Sequence, residues 1–457
     1  MRIGIVGTGY VGLNTGACFA FLGHEVTCVD VDEAKVAQLR AGDVPIYEPH
    51  LADLLELAPM RFTTDYAEAI PGADVVFIAV GTPSLADGSP NLTYLRAAAD
   101  SIGQHLSGDF TVVVNKSTVP IGGGNWVESI VRDAYQQRFP GATGETFRLA
   151  SNPEFLREGT ALHDSLYPDR VVVGTDDDRS LDVMFALYRP ILDQSFTPPV
   201  FLARPEELVA VPLVSTDIAS AELIKYSANA FLALKISYIN EIAHVAERVG
   251  ADIAQVARGI GLDTRIGPRF LHAGIGWGGS CFAKDTAALL ATAREYKLDM
   301  PIVAAAREVN ARQRETVVEK LLDELRILKG RTVGLLGLAF KPNTDDLRDA
   351  PAVAIARNLV ERGARVRLHD PVAMRRFERE HPDLASSLCA SPEEVAKSSD
   401  ALVLVTEWPA YLELDWAALA GVMRTPILID GRHTLDRDRL TQAGFRYVAL
   451  AAWRPGN

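Results

Sequence analysis

The beginning of the chain alternates short apolar runs with a helical pattern. Arg2–Val6 is a continuous apolar run typical of a buried strand, and residues 13–22 repeat small and apolar side chains as a helix does. Glu25–Val29 is a second apolar run, which Asp30 closes. A strand, a glycine turn, a helix and a second strand in this order predict a βαβ unit.

Four later apolar runs extend this pattern. They predict strands at residues 74–80, 110–115, 147–151 and 170–174, with helical patterns between them. Runs that are apolar without alternation are typical of strands buried on both faces. The sequence therefore predicts an α/β fold built on a doubly wound parallel sheet.

The pattern changes near residue 210. From Ser215 to about Gly250, apolar residues recur at steps of three and four, which predicts one long helix. We expect this helix to act both as a spine between domains and as a dimer surface. Helical patterns resume from Asp285 to about Leu328.

The opening pattern returns late in the chain. RTVGLLGLAF echoes RIGIVGTGY, and ARVRLHDP, SDALVLVTEWP and PILIDGRH echo later segments in the same order. The repeat predicts two Rossmann-like doubly wound domains joined by a long central helix. It lacks a full GxGxxG, so we do not expect a second dinucleotide there. The predicted domains are residues 1–212, 213–327 and 328–457.

Composition and charge exclude several classes of protein. The 457 residues carry a net charge of −13, without the cationic surface of a nucleic-acid binder. No stretch approaches the roughly 20 apolar residues of a membrane span, and the first apolar run predicts a strand rather than a signal peptide. We expect a cytoplasmic protein with no nucleic-acid or membrane partner. The four cysteines are far apart, which predicts neither disulfides nor a metal site.

The glycine turn after the first strand has the spacing of a dinucleotide-binding loop. Gly7 permits the tight turn, Gly9 lets the backbone approach a pyrophosphate, and Gly12 lets the helix pack closely. Asp30 can accept hydrogen bonds from ribose hydroxyls and would repel a 2′-phosphate, which favours NAD over NADP. The alternatives are a turn without ligand, or Asp32 as the acidic residue; we interpret Asp32 as an exposed helix cap.

Polar residues follow other predicted strands. Thr82 and Thr118 lie at strand ends, where α/β sheets bind ligands, although such residues are also common in turns. Glu154 and Glu158, four residues apart, would share a helical face as acid–base groups. The alternative is a helix start that favours acidic residues.

Two further motifs carry candidate chemistry. Lys225 and Asn229 would lie on one side of the long helix, where Lys225 either stabilises an oxyanion or extends to solvent. In GIGWGGSCFAKD the glycines permit close approach of a substrate, and Cys281 opens a helix whose N-terminus and Lys284 favour a thiolate. Asp285 can orient a water or the thiol. The alternative is a buried, inert thiol, which the two N-terminal cysteines fit.

The glycine turn, PEFLREG, Lys225/Asn229 and GWGGSCFAKD together resemble the UDP-glucose 6-dehydrogenase family, within the UDP-glucose/GDP-mannose dehydrogenase superfamily. The resemblance extends from Met1 to the Asp430-Gly431-Arg432 segment. It implies an NAD-dependent four-electron oxidation of UDP-glucose to UDP-glucuronate, for polysaccharide biosynthesis, by a homodimer or larger homo-oligomer. The first domain would bind NAD and the last the UDP-sugar.

The resemblance also implies residue roles. The implied catalytic residues are Cys281, Lys225, Asn229, Asp285, Thr118, Glu154 and Glu158. Cys281 would hold the aldehyde as a thiohemiacetal and then as a thioester, while Lys225 and Asn229 would stabilise oxyanions. Asp285 would orient the catalytic water and partner Lys225. Thr118 and Glu158 would position a water, and Glu154 would act as acid or base.

Ligand contacts are implied in the same way. The NAD contacts would be Gly7, Gly9, Tyr10, Val11, Gly12, Asp30, Lys35, Thr82, Thr118, Glu158, Lys284 and Arg348. The substrate contacts would be Glu154, Phe155, Leu156, Lys225, Asn229, Arg265, Phe270, Leu271, His272, Ala273, Gly274, Gly278, Lys341 and Arg432. Arg265 resembles an arginine that reaches a neighbouring subunit's substrate. Ala283 departs from the proline usual in the family but removes no functional group.

Two alternatives stay open. The first is a sister 6-dehydrogenase acting on a UDP-N-acetylhexosamine or GDP-mannose, although PEFLREG-TAL and RIGPRFL favour UDP-glucose. The second is a sugar-nucleotide-binding protein without turnover. The intact set of Cys281, Lys225 and Asp285 argues against it.

Overall fold

A computed structural model describes residues 1–85, 87–141 and 146–450. The chain divides into two compact units: Met1–Ala228 with Ala287–Lys297, and Asn229–Thr286 with Leu298–Asn457. The domain boundaries drawn from the sequence stay predictions, and residues 451–457 of the last domain lie outside the described residues. Among the described helices, none combines the length and the apolar character needed to cross a membrane.

An eight-stranded sheet forms the centre of the first unit. Its strands are β1 (Arg2–Val6), β2 (Glu25–Val29), β3 (Arg61–Thr63), β4 (Val75–Ile78), β5 (Thr111–Asn115), β6 (Phe147–Ser151), β7 (Val171–Gly174) and β8 (Leu213–Thr216). They lie in the order β3-β2-β1-β4-β5-β6-β7-β8. The first six strands follow the Rossmann order, which confirms the doubly wound prediction.

The expectation of a fully parallel sheet is wrong at one edge. Ser151 on β6 pairs with Gly174 on β7 in the antiparallel sense, and β8 runs parallel to β7. The apolar pattern records burial, which carries no strand direction. It also misses β3 and β8, because both are short and partly polar.

Among the described residues, eight helices of the first unit precede the long helix. They are α1 (Tyr10–Phe21), α2 (Glu33–Arg40), α3 (Leu51–Leu57), α4 (Tyr66–Ala69), α5 (Thr93–His105), α6 (Gly123–Arg138), α7 (Ala161–Leu166) and α8 (Asp178–Leu192). Alternate residues of β4 belong to two different core clusters, Val76 to one and Val75 to the other. Burial on both faces explains the continuous apolar runs.

The predicted long helix is α9 (Ile218–Val249). It begins after Ser215 rather than at it, because Leu213–Thr216 forms β8. The helices that follow are α10 (Ile253–Gly261), α11 (Ser280–Glu295) and α12 (Pro301–Leu325). The helical patterns expected from Asp285 to about Leu328 correspond to α11 and α12, which are separated where Lys297 takes a φ of +58°.

A five-stranded parallel sheet forms the centre of the second unit. Its strands are β9 (Thr332–Leu336), β10 (Arg365–His369), β11 (Ala401–Leu404), β12 (Ile427–Asp430) and β13 (Arg446–Ala449), in the order β10-β9-β11-β12-β13. The associated helices are α13 (Pro351–Glu361), α14 (Met374–Glu380), α15 (Pro392–Ala396), α16 (Pro409–Leu412), α17 (Trp416–Val422) and α18 (Arg437–Gln442). The internal repeat predicts the first four strands, so the second Rossmann-like fold is confirmed.

Candidate active site

The glycine turn lies at the carboxyl end of β1, beside the end of β4, where the strand order reverses. Gly7 has a φ of +102°, and a Cβ there would lie 2.6 Å from the carbonyl oxygen of Ala79. A Cβ on Gly12 would overlap the carbonyl oxygen of Gly7, whereas one on Gly9 would meet open space. The turn therefore leaves room for a ligand at Gly9, at the start of α1, where backbone N–H groups favour phosphate.

Asp30 follows β2 and faces this turn. Its carboxylate accepts hydrogen bonds from the Thr8 N–H at 2.8 Å and the Thr8 hydroxyl at 2.6 Å, and Lys35 Nζ lies at 3.3 Å. Burial opposes ionisation, but the bonds from Thr8 and Asp32 and the charge of Lys35 hold the pKa of Asp30 below its ordinary value. A permanently charged acceptor suits ribose hydroxyls. Asp32 caps α2 through the Lys35 N–H, as predicted.

Glu48 is a buried carboxylate that the sequence analysis missed. It accepts hydrogen bonds from the N–H groups of Gly159 and Ala161, both at 2.7 Å, and from the Tyr10 hydroxyl. Burial and the charge of Glu48 raise the pKa of Tyr10, so its hydroxyl stays a donor. Glu48 thus ties the half-buried Glu158 segment to the start of α1. The sequence signal is a carboxylate within IYEPHL, a segment without periodicity.

Thr82 and Thr118 meet at the ends of β4 and β5, as predicted. The Thr82 hydroxyl donates to the main-chain oxygen of Thr118 at 2.9 Å. Thr82 is buried, while Thr118 and Val11 are half-buried. The two threonines therefore border the same carboxyl edge of the sheet as the glycine turn.

Lys225 is buried with 4% of its surface exposed, which excludes the solvent-extended alternative. Its ammonium donates to the main-chain oxygen of Glu154 at 2.5 Å and to the Glu154 carboxylate at 2.9 Å. The carboxylate also accepts from the Leu156 N–H at 2.7 Å. The Phe155 ring lies 5.5 Å from the ammonium. A buried, oriented ammonium is suited to stabilising a developing oxyanion.

The prediction that Glu154 and Glu158 share a helical face is wrong. Residues 152–160 are not helical. Pro153 disfavours helical geometry in the residue before it, and Gly159 turns the chain with a φ of +80°. Glu154 is buried against Lys225, whereas Glu158 is half-buried near Tyr10.

Cys281 is the second residue of α11, in the second unit. The glycine loop before it is tightly packed: a Cβ on Gly278 would lie 2.7 Å from the carbonyl oxygen of Asp349, and one on Gly279 would lie 2.8 Å from the Phe340 ring. Cys281 itself is half-buried. The position places the thiol beside the free backbone N–H groups of a helix N-terminus.

Three buried amides that sequence analysis missed hold this loop. Asn310 accepts from the Trp277 N–H at 2.7 Å and donates to the Trp277 carbonyl at 2.9 Å. Gln313 donates to the Gly274 carbonyl at 2.8 Å, and Asn240 accepts from the Gly274 N–H at 2.8 Å. Their signal in the sequence is polar residues at positions of helices that are otherwise apolar.

Asn229, Asp285 and Lys284 come together in the second unit. The Asn229 amide donates to the Asp285 carboxylate at 2.5 Å, and Lys284 Nζ lies 3.2 Å from the other carboxylate oxygen. Asp285 is 1% exposed. The group is a buried acceptor with an amide and an ammonium oriented around it.

The other cysteines differ from Cys281. Cys18 and Cys28 are buried, and burial raises the pKa of each thiol to about 12. Both therefore stay protonated and inert at neutral pH, as expected. Cys389 is half-buried, and burial also raises the pKa of its thiol.

Basic residues of the second unit differ in how firmly they are held. Arg432 donates to the carbonyls of Val405 at 2.7 Å and Phe340 at 3.1 Å, while Arg348 binds Asp346 through two nitrogens. Lys341 lies 5.5 Å from the Phe340 ring. The Arg265 side chain is 87% exposed and pairs with Asp263.

The predicted substrate segment 270–274 is partly enclosed. In it, Leu271 and Gly274 are buried, Phe270 and Ala273 are half-buried and His272 is exposed.

Within the first unit the predicted residues meet in three places: the turn with Asp30 and Lys35, Thr82 with Thr118, and Lys225 with Glu154. Within the second unit, Asn229, Lys284 and Asp285 meet near the start of α11. Among the described residues, no group of three or more His, Cys, Asp or Glu side chains could hold a metal ion.

A Rossmann sheet with a glycine turn and an acidic residue after its second strand, together with a thiol at a helix start, is typical of a dinucleotide-dependent oxidoreductase. The UDP-glucose/GDP-mannose dehydrogenase family models match along the chain: the NAD binding domain at residues 1–192, the central domain at 219–312 and the UDP binding domain at 334–437. The chain belongs to this family, and the prediction of NAD as cofactor is confirmed.

Curated relatives match over nearly the whole length. The UDP-glucose 6-dehydrogenase of Rhizobium meliloti is 45% identical, covering 98% of this chain and 99% of its own. The Bacillus subtilis enzyme TuaD, also named a UDP-glucose 6-dehydrogenase, is 43% identical over 98% of this chain and 93% of its own. A solved UDP-glucose dehydrogenase from Pyrobaculum islandicum is 38% identical with a TM-score of 0.86, covering 99% and 98% of the two chains.

Proposed function

We propose that this protein oxidises UDP-glucose to UDP-glucuronate with NAD. The reaction removes four electrons, and its aldehyde intermediate is bound covalently to Cys281. The observation that carries the proposal is the half-buried Cys281 thiol at the start of α11, behind a loop fixed by buried amides. The full-length similarity to UDP-glucose 6-dehydrogenases supports the choice of substrate.

The first unit supplies most of the proposed NAD contacts. The open space above Gly9 and the charged Asp30 fit a pyrophosphate and a ribose. NAD bound there would accept a hydride in each of the two oxidations. The further NAD contacts that we propose are Gly7, Tyr10, Val11, Gly12, Lys35, Thr82, Thr118, Glu158, Lys284 and Arg348.

Cys281 acts between the two oxidations. Its thiolate sulfur forms a bond to the C6 aldehyde carbon, and the carbonyl oxygen takes a proton, giving a thiohemiacetal. Loss of a hydride and a proton leaves a thioester. Water then adds to the thioester carbon, the C–S bond breaks, and the thiolate leaves as the uronate forms.

Fixed donors stabilise the oxygen that becomes negative in these steps. Lys225, oriented by Glu154, and the Asn229 amide supply positive charge and a hydrogen bond. Asp285, held by Asn229 and Lys284, orients the hydrolytic water. Thr118 and Glu158 position a water beside the nicotinamide, and Glu154 can accept a proton.

The UDP-sugar is held chiefly by the second unit. The proposed contacts are Phe155, Leu156, Arg265, Phe270, Leu271, His272, Ala273, Gly274, Gly278, Lys341 and Arg432, with Glu154, Lys225 and Asn229. The anchored guanidinium of Arg432 and the ammonium of Lys341 offset the repulsion that a chain of net charge −13 exerts on a diphosphate.

A sister sugar nucleotide is the second candidate substrate. A solved UDP-D-ManNAc dehydrogenase from Pyrococcus horikoshii is 26% identical with a TM-score of 0.81, covering 99% of both chains. A GDP-mannose dehydrogenase from Pseudomonas aeruginosa is 31% identical with a TM-score of 0.52, covering 96% of this chain and 98% of its own. Both are less similar in sequence than the UDP-glucose enzymes, so UDP-glucose stands first.

A panel of nucleotide sugars tests the proposal. The purified protein is incubated with NAD and with UDP-glucose, UDP-N-acetylmannosamine or GDP-mannose, and NADH is counted per sugar consumed. We expect two NADH per UDP-glucose and UDP-glucuronate by mass spectrometry. One NADH per sugar would mean that the reaction stops at the aldehyde. If no sugar gives NADH, the result would favour the alternative of a sugar-nucleotide-binding protein without turnover.

We further propose a homodimer formed through α9. Phe231, Tyr238 and Val245 recur at seven-residue steps and are 61%, 50% and 56% exposed. Such a stripe costs free energy when left in water. Sedimentation should give a dimer for the wild type, and Phe231→Glu should shift the protein toward monomer.

The proposed setting follows from the chemistry. A catalytic thiol has to stay reduced, as it does in the cytoplasm, where we place the protein. UDP-glucuronate carries an activated uronosyl group, so its consumers are glycosyl transferases that build polysaccharides.

A further inference from the structure

Lys116 is a buried cation that the proposed reaction leaves without a role. It directly follows β5 and is 7% exposed. Its Nζ donates to Asn152 Oδ1 at 2.9 Å and to the Tyr188 hydroxyl oxygen at 3.5 Å, and lies 5.9 Å from the centre of the Phe77 ring. These partners are neutral, and burying an ammonium among neutral groups is costly.

Asn152 connects Lys116 with the segment that holds Lys225. Its Oδ1 also accepts from the Tyr188 hydroxyl at 2.6 Å, and its Nδ2 donates to the Val172 carbonyl at 2.7 Å. The Asn152 side chain is therefore fixed at both ends. Two residues later, Glu154 binds Lys225 through both its main-chain and carboxylate oxygens.

The charge of Lys116 also reaches this ion pair directly. Lys116, Glu154, Glu222 and Lys225 line one small cavity of the first unit. Charges that share a buried cavity interact more strongly than charges in water, because little solvent screens them.

We propose that Lys116 is a positioning residue for the oxidation, which orients the Asn152–Glu154 segment and places a positive charge beside the Lys225–Glu154 pair. It acts through Asn152 and Glu154. The inference rests on the proposed function, in which Lys225 stabilises the reacting oxygen.

The titratable groups that face Lys116 come from four elements: Cys18 on α1, Tyr188 on α8, Glu154 after β6, and Glu222 and Lys225 on α9. Burial lowers the pKa of Lys116 to about 8, although Glu154 opposes this shift. Burial raises the pKa of both Cys18 and Tyr188, so these two stay neutral. Lys116 thus carries its charge below pH 8 and loses it above.

The test compares kcat and KM of the wild type with those of Lys116→Met between pH 6 and pH 9.5. We expect kcat at pH 7 to fall about tenfold, with both KM values within about twofold of wild type, because oriented charge acts on the transition state. The deficit in kcat should shrink above pH 8, where the wild-type side chain is itself neutral.

Lys320→Met is the matched control. Lys320 is a largely buried lysine of the second unit that pairs with Glu247, outside the proposed site. This variant should lower Tm while leaving kcat and its pH profile unchanged. Burial raises the pKa of Glu222 to about 7, so the comparison is repeated in a Glu222→Gln background, where the Lys116→Met deficit should persist.

Two results would overturn the inference. One is a wild-type kcat in Lys116→Met at every pH. The other is a pH-independent loss accompanied by a raised KM for NAD, which would indicate a purely structural role. The assay uses whichever nucleotide sugar the wild type oxidises. A wild type inactive on every sugar refutes the proposed function and the inference together, whereas an active wild type with an unaffected variant refutes only the inference.

Discussion

The two sheets share a strand order at their centres but use their first turn differently. Gly7 and Gly337 end the equivalent strands with φ values of +102° and +100°. After Gly7 the helix α1 begins at once, and Gly9 faces open space. After Gly337 the buried side chains of Leu338 and Ala339 fill the turn, and α13 begins only at Pro351.

The acidic residues after the second strands show the same contrast. The Asp30 side chain is 10% exposed and accepts from the Thr8 N–H and hydroxyl, from the Asp32 N–H and from the Lys35 ammonium. Asp370 is 1% exposed and accepts from the N–H groups of Leu338, Ala339, Val372 and Ala373 and from Trp408. The Asp30 carboxylate thus keeps some exposure to solvent, whereas the Asp370 carboxylate is enclosed by protein donors. A shared topology therefore does not imply a shared ligand.

The largest expected effect separates chemistry from cofactor binding. Cys281→Ser replaces the proposed nucleophile in the second unit with a far weaker one. Turnover of UDP-glucose should fall by roughly a thousandfold or more, because the aldehyde is no longer held. NAD affinity, to which Cys281 is not a proposed contributor, should stay within about twofold of the wild type. Cys18→Ser is the control, and appreciable uronate formation by Cys281→Ser would refute the nucleophile assignment.

The next effect concerns the glycine turn. Gly12→Val places a side chain against the Gly7 carbonyl, so α1 cannot keep its close approach to β1. We expect NAD affinity to fall by about a hundredfold or more, measured by calorimetry. Gly9→Ala is the milder companion. Its Cβ meets no protein atom, so the fold should survive and only NAD binding should weaken.

Replacing each of the two aspartates, Asp30 and Asp370, by alanine tests the comparison directly. Asp30→Ala should weaken NAD binding about 10- to 100-fold, since it removes acceptors for ribose hydroxyls, and should cost about 1–2 kcal/mol of stability because the buried Thr8 N–H loses its acceptor. Asp370→Ala should leave NAD binding unchanged and lower the free energy of unfolding more, by about 2–4 kcal/mol, because several buried N–H groups lose their acceptor. Denaturant unfolding and NAD titration of both variants give the measurement. Equal effects of the two substitutions on NAD affinity would contradict the comparison.

The smallest effect concerns Glu222 of the first unit. Like Asp370, it is a buried carboxyl that accepts hydrogen bonds from backbone N–H groups. It accepts from the N–H groups of Gly122 and Gly124, and burial raises its pKa to about 7. Between the ordinary pKa of a glutamate and pH 7, Glu222 therefore stays protonated in the folded protein but is already ionised in the unfolded chain. The resulting stability is present at low pH and disappears as pH rises to 7, by about 1–3 kcal/mol. Glu222→Gln should lack this slope in denaturant unfolding; an identical slope would refute the raised pKa.

The sequence predicts the strands well because burial on both faces leaves an unmistakable apolar run. Burial does not encode strand direction, which is why the strand at β7 was predicted but its antiparallel direction was not. A short, partly polar edge strand such as β8 has no continuous apolar run, so its sequence resembles that of a loop. The helix expected around Glu154 failed because Pro153 and the turn at Gly159 outweigh a four-residue spacing.

The candidate site was predictable where chemistry depends on local spacing, as at the glycine turn and Cys281. Residues that act through distant contacts were not. Glu48, Lys116 and Asn310 lie far in sequence from the segments that they hold, so the local signals around them do not identify their partners. Their roles emerge only when the fold brings a buried polar group to its partner.

The central claim is that the first Rossmann-like sheet binds NAD and the second does not. Its most direct test is the number of NAD molecules bound per chain, measured by isothermal titration calorimetry on the wild type and on Asp30→Ala. The account predicts one NAD per chain in the wild type and a strongly weakened site in Asp30→Ala. Two NAD molecules per chain, or a single site of unchanged affinity in Asp30→Ala, would contradict it.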